Sequence, residues 1–173
     1  MKRIAVLAAL ALAACASTET EVTRLAPADA ATTLIVGQAA QLTQSARASR
    51  DGQDSVVNLE LRFFDGRAAV FQEANHTPMD IAAQADGGPL SQIMGLPEGA
   101  EARLFRLQDG AAAGNFCAPS GPQFLGVSEA ADGSVKIVAL KEGFQFDTRA
   151  DGTFDPLPAS PQIVCSRMTF RKF

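Results

Sequence analysis

The sequence contains no tryptophan and no tyrosine, a single histidine and only three cysteines in 173 residues. Each scarcity removes a class of chemistry. With His76 alone, metal sites built on several imidazoles are excluded, and no Gly-x-Ser-x-Gly elbow is present to pair a nucleophilic serine with it. The chain has no His-Glu-x-x-His, no Gly-x-x-x-x-Gly-Lys and no Gly-x-Gly-x-x-Gly after a strand, so zinc-hydrolase and nucleotide readings lose their usual support. The cysteines do not form Cys-x-x-Cys. Basic residues are outnumbered, 15 against 19 acidic ones, and the net charge of −4 has the wrong sign for nucleic acid or for docking on anionic lipid. The expectation is a protein without catalytic residues, metal, cofactor or nucleic-acid partner. The 11 phenylalanines must supply all the aromatic packing.

What is present starts at the N-terminus. Lys2 and Arg3 precede the apolar run Ile4 to Ala11, then comes Leu12-Ala13-Ala14-Cys15, followed by polar Ser17, Thr18 and Glu19. A charged start, a short apolar stretch and small residues at a cleavage point are the order of an export signal, and the stretch falls short of the roughly 20 residues that span a bilayer. Leu12-Ala13-Ala14-Cys15 resembles the lipobox of bacterial lipoproteins. The resemblance implies a diacylglyceryl group on the Cys15 thiol, removal of residues 1–14, and acylation of the new amino group, with palmitate as a typical chain. A single acyl chain anchors only marginally, whereas two or three hold firmly. In that family an Asp after the Cys commonly retains the protein in the inner membrane. Ala16 stands there instead, so the expected location is the outer membrane, facing the periplasm.

Removal of the signal takes two basic residues and no acidic ones, leaving a more acidic mature chain of a size suited to one domain. Cys117 and Cys165 would then share an oxidising compartment, where thiols pair, so a disulfide between them is expected. Closing a loop of roughly 50 residues removes denatured-state entropy worth about 4 kcal/mol.

From Ala16 to about Ala31 the chain is rich in Thr, Ala, Glu and Pro without apolar periodicity, and reads as a tether with a reach of some 20 Å. Residues 32–173 are expected to form the single β-rich domain. Thr33 to Val36 is β-prone, while Gln38 to Arg47 fits either a short helix or a poorly patterned strand. Asp-Gly recurs at residues 51, 65, 86, 109, 132 and 151, a dipeptide that suits hairpin turns. Val56 to Phe64 alternates, and a two-residue loop at Asp65-Gly66 would set Phe63 against Ala68 and Leu61 against Val70. A two-residue loop at Asp132-Gly133 would set Glu129 against Lys136, Val127 against Val138 and Leu125 against Leu140. Ala102 to Leu107 and Ile163 to Phe170 read as further strands. Thr77-Pro78-Met79-Asp80 offers a helix start running to about Gln84, and Pro89 to Met94 a second turn stopped by Gly95. Gly143 to Pro161, with its Phe and Pro residues, reads as a long loop covering one side of the sheet. The fold class expected is mainly β: a small antiparallel sandwich or barrel with one or two short helices and one disulfide.

Two groupings bear on function. Asp147, Asp151 and Asp155 around Gly152 have the composition of a calcium loop, but Arg149 interrupts them and no Glu closes the set, so they read as an exposed acidic turn. Arg62, Phe64, Arg67 and Phe71 would share the outward face of the first hairpin, and aromatics beside arginines suit a partner surface for another envelope protein. The body is similar in outline to many small uncharacterised envelope lipoproteins. The function expected is a non-catalytic binding or assembly-accessory role on the membrane. The alternative is an inhibitor of a wall-degrading enzyme, since small lipid-anchored β-domains with a disulfide resemble lysozyme inhibitors, although the Ser-Gly-rich loop of that family is not found.

Overall fold

The computed structural model describes residues 18–48, 55–109, 117 and 121–173. Cys15 and the segment expected to be an export signal lie outside the described residues, as does the Asp51-Gly52 dipeptide. Eight antiparallel strands close into a barrel in the order β1 (Thr18–Pro27), β10 (Val164–Lys172), β7 (Ser134–Leu140), β6 (Phe124–Glu129), β5 (Arg103–Asp109), β4 (Ala68–Glu73), β3 (Ser55–Phe63) and β2 (Ala40–Ala48), with β2 returning to β1. The two remaining strands, β8 (Phe146–Thr148) and β9 (Phe154–Pro156), form a separate hairpin inserted between β7 and β10. The fold is thus mainly β, and of the two forms expected the barrel is the one adopted. Of residues 38–47, those from Ala40 on form strand β2, which Gln38 and Ala39 precede.

The hairpins depart from their expected register in one shared way. Phe63 N–H donates to Arg67 O and Gly66 N–H to Phe63 O, so the loop is Phe64-Asp65-Gly66, three residues with Gly66 at φ +87°. Ala130 N–H to Ser134 O and Gly133 N–H to Ala130 O give the same loop at Ala131-Asp132-Gly133, and Arg149 N–H to Thr153 O with Gly152 N–H to Arg149 O repeat it at Ala150-Asp151-Gly152. Positive φ at the third position is what a three-residue hairpin loop needs, and glycine adopts it without steric cost. In each loop the Asp carboxylate accepts the backbone N–H two residues on, from Arg67, Ser134 and Thr153 at 3.1, 2.9 and 2.9 Å. The one-residue slip reverses the second strand. Leu61 therefore faces Ala69 rather than Val70, Val127 faces Ile137 rather than Val138, and Leu125 faces Ala139.

Inside the barrel Leu25, Leu59, Leu61, Phe71, Phe105, Leu125, Met168 and Phe170 are all essentially inaccessible. Outward positions on β1–β3 are mostly polar, Val22 being exposed among them, with Arg24, Gln41 and Arg62 side by side in register. Apolar-in and polar-out is the reverse of a barrel that spans a membrane. Among the described residues no helix is long and apolar enough to cross one either.

From Thr18 on, the segment expected to be a tether is instead structured. Thr18–Pro27 is β1, paired with β2 from Thr18 to Leu25. Its first four residues alternate Thr and Glu without an apolar face, so it is the ladders to β2 and β10 that mark the segment as a strand. The β-prone run Thr33–Val36 lies in α1 (Ala30–Val36), because Asp29 caps the helix by accepting Thr32 N–H at 2.7 Å and Gly37 ends it at φ +79°. Thr32 Oγ1 accepts the N–H of Thr169 at 2.8 Å, and buried Val36 packs into the barrel core, so α1 plugs the end at which β1 turns into β2.

A second apolar layer lies outside the barrel. Helices α2 (Pro78–Gln84) and α3 (Pro89–Met94) begin and end where their signals lie, α2 with a capping box between Thr77 and Asp80. They pack with Phe144 and Phe146 onto the outer faces of β5 and β7, around Leu104, Val138 and Leu140. The segment Gly143 to Pro161 covers this side as expected, but does so partly through the β8–β9 hairpin. Gln84 joins the layers: its amide donates to Ala74 O at 2.6 Å and accepts Leu104 N–H at 2.7 Å.

Cys117 and Cys165 form a disulfide with Cα atoms 4.8 Å apart, closing a separation of 48 residues. Cys165 occupies a bulge in β10, where the register against β7 shifts between Val164 and Ser166. The bridge ties the β5–β6 connection to the wall of the barrel and packs against its core.

Candidate functional site

The end of the barrel opposite α1 is open. A cavity of about 240 Å³ enters there between β1, β2, β5, β6 and the end of β10. Alternation along each strand sends every second side chain inward, so the same strands that build the core line this cup. Its floor is apolar, made by Leu42, Leu59, Phe105, Val127 and Val135. Its rim is polar, lined by Glu21 and Thr23 on β1, Gln44 on β2, Arg103 on β5 and Lys172 on β10.

Arg103 organises the rim. Its Nε donates to Glu73 Oε1 at 2.6 Å, its Nη1 reaches across two intervening strands to Gln44 Oε1 at 3.2 Å, and the guanidinium stacks 5.1 Å from the Phe105 ring centroid. Glu73 is the more buried partner, 13% exposed against 36% for Arg103. The planar guanidinium suits this combination of ion pair, amide contact and ring stacking. Lys172 pairs with Glu129 at the rim. Glu21 and Glu101 also line the mouth, and among the described residues neither carboxylate has an ion-pair partner.

The residues expected to form a partner surface separate. Phe71 is fully buried in the barrel core opposite Leu59, the direct result of the three-residue loop at Phe64-Asp65-Gly66. Arg67 pairs with Asp65 and lies 5.1 Å from the Phe63 ring centroid. Arg62 and Phe64 do stay on the outside, and with Arg24 and Phe173 they line a shallow groove of about 200 Å³. Phe64 is 70% exposed and Phe173 71%. Sequence reasoning missed the C-terminal Phe173, which docks through its N–H to Arg24 O at 3.3 Å, and it missed the cup altogether. The cup's one signal in the sequence is the string of inward-facing charges Glu21, Glu73, Arg103, Glu129 and Lys172 at strand ends, legible only once the register is known.

His76 is exposed in the turn before α2 and does not line the cup. Asp151 is occupied by Thr153, and Asp155 forms a two-point contact with Arg149, so the acidic turn is held by its own arginine. Four exposed Asp carboxyls lie below the usual carboxylate range because they accept local hydrogen bonds. The donors are the backbone N–H of Thr32 for Asp29, the backbone N–H of Arg67 for Asp65, the side chain and then the N–H of Ser134 for Asp132, and likewise those of Thr153 for Asp151. Each belongs to a turn or cap outside the cup. A search of protein-family descriptions, of curated proteins and of solved structures finds no match to this chain.

Proposed function

We propose that the chain is a lipid-anchored envelope protein with a non-catalytic binding role at the periplasmic face of the outer membrane, and that the open cup is where it binds. The observation that carries this reading is the cup itself, an apolar floor under a polar rim in an otherwise filled barrel. That arrangement suits a small amphiphile, whose apolar part is removed from water below while the rim fixes its polar end. The lipobox motif supplies the anchor. Cys15 precedes the first residue of β1 by three peptide units, a span of at most about 11 Å. Glu21 and Thr23 of the same strand line the cup, so an anchor on Cys15 would keep the mouth near the bilayer surface.

The binding part is tested by titrating n-hexanol, a neutral amphiphile, into full-length protein carrying labelled methyl groups. The methyl resonances of Leu42, Leu59, Val127 and Val135 are expected to shift together in a saturable way. Unchanged floor methyls would contradict the reading. The anchoring part is tested by fractionating cells that produce wild type or Cys15→Ser, with the variant expected to lose its membrane association.

A further inference from the structure

We propose that the cup selects an aliphatic ammonium group, a primary amine carried on a short apolar stem. The inference rests on the reading of the cup as a binding site and adds the charge of what it binds. The two cations at the mouth are already engaged, Arg103 by Glu73 and Gln44, and Lys172 by Glu129. An anionic ligand would have to displace those carboxylates. Glu21 and Glu101 stand at the same mouth without ion-pair partners, leaving an excess of negative charge over the entrance. A cleft lined by one sign of charge with low-dielectric walls concentrates the opposite ion. The floor of Leu42, Leu59 and Val127 receives an alkyl stem, and the ammonium then stays at the level of the two free carboxylates with part of its water. A surface lysine of another protein and a free alkylamine present this same group.

The experiment compares n-hexylamine, n-hexanol and hexanoate on the full-length protein by the floor methyl shifts. At low salt hexylamine is expected to bind about tenfold tighter than hexanol, with hexanoate weaker than both, and added salt should shrink the difference. In the double variant Glu21→Gln, Glu101→Gln, whose exposed side chains hold no other element, the preference for amine over alcohol should vanish. Nα-acetyl-lysine amide serves as the arm for a protein side chain: binding at the same methyls with hexylamine's strength assigns the site to lysine, and weaker binding to free amines, either result supporting the ammonium preference. Equal binding of hexylamine and hexanol, tighter binding of hexanoate, or a preference that survives the double variant would overturn the inference and leave the cup as a binding site. Failure of every probe to move the floor methyls would overturn both.

Discussion

A β-carbon placed on Gly126 would lie 2.5 Å from Leu90 Cδ1, with Val138 Cγ1 at 2.7 Å. This glycine is the point at which helix α3 settles onto the outer wall of the barrel, and its missing side chain is what allows the approach. Gly126→Ala is therefore expected to destabilise the protein by about 1–3 kcal/mol, the usual cost of overpacking a filled layer. Urea unfolding would measure it. Because the strain falls outside the barrel, the floor methyl shifts on hexanol should persist in the variant.

The reversed register of the first hairpin makes a paired prediction. Phe71 is inside the barrel and Phe64 is on its surface, although a two-residue loop would have put both outside. Phe71→Ala is expected to cost about 3–5 kcal/mol and Phe64→Ser to stay within about 0.5 kcal/mol. Similar small losses from both substitutions would contradict the three-residue loop.

The Cys117–Cys165 bridge closes 48 residues and joins a long connection to a bulged strand. Replacing both cysteines by serine should lower stability by about 4 kcal/mol, seen as a lower denaturation midpoint that reductant no longer changes. Wild type treated with reductant should fall to the same midpoint.

Acid should loosen the turns together. Asp29, Asp65, Asp132 and Asp151 have folded-state pKa values below the ordinary 3.8, so the unfolded chain binds protons first. Their contribution is complete above that ordinary value and is lost as pH falls from it through the lower folded values. Replacing all four by Asn, which still accepts a hydrogen bond but does not titrate, should flatten the decline of stability below about pH 4. An unchanged slope would show that other groups set it.

Much of the fold is legible in the sequence and much of the site is not, for reasons that can be named. Thr77-Pro78 and Gly95 mark their helix ends because capping is local. The hairpins are found because Asp-Gly is a local signal too, but loop length decides register, and Ile137-Val138-Ala139-Leu140 is so uniformly apolar that either register buries similar side chains over that stretch. β7 is in fact covered on both faces, by the core inside and by α3 and Phe144 outside. β1 escapes notice since Thr18-Glu19-Thr20-Glu21 has no apolar period. The Arg103–Glu73 pair joins residues 30 positions apart and Arg103–Gln44 joins residues 59 apart, contacts that only the closed barrel brings together.

The measurement that bears most directly on the central claim is the intact mass of the native protein taken from the membrane fraction of its own cells. A chain that starts at Cys15 and carries the added mass of a diacylglyceryl group and an amide-linked acyl chain is the predicted result. A chain that keeps residues 1–14, or one that starts near Cys15 with an unmodified thiol, would contradict the account.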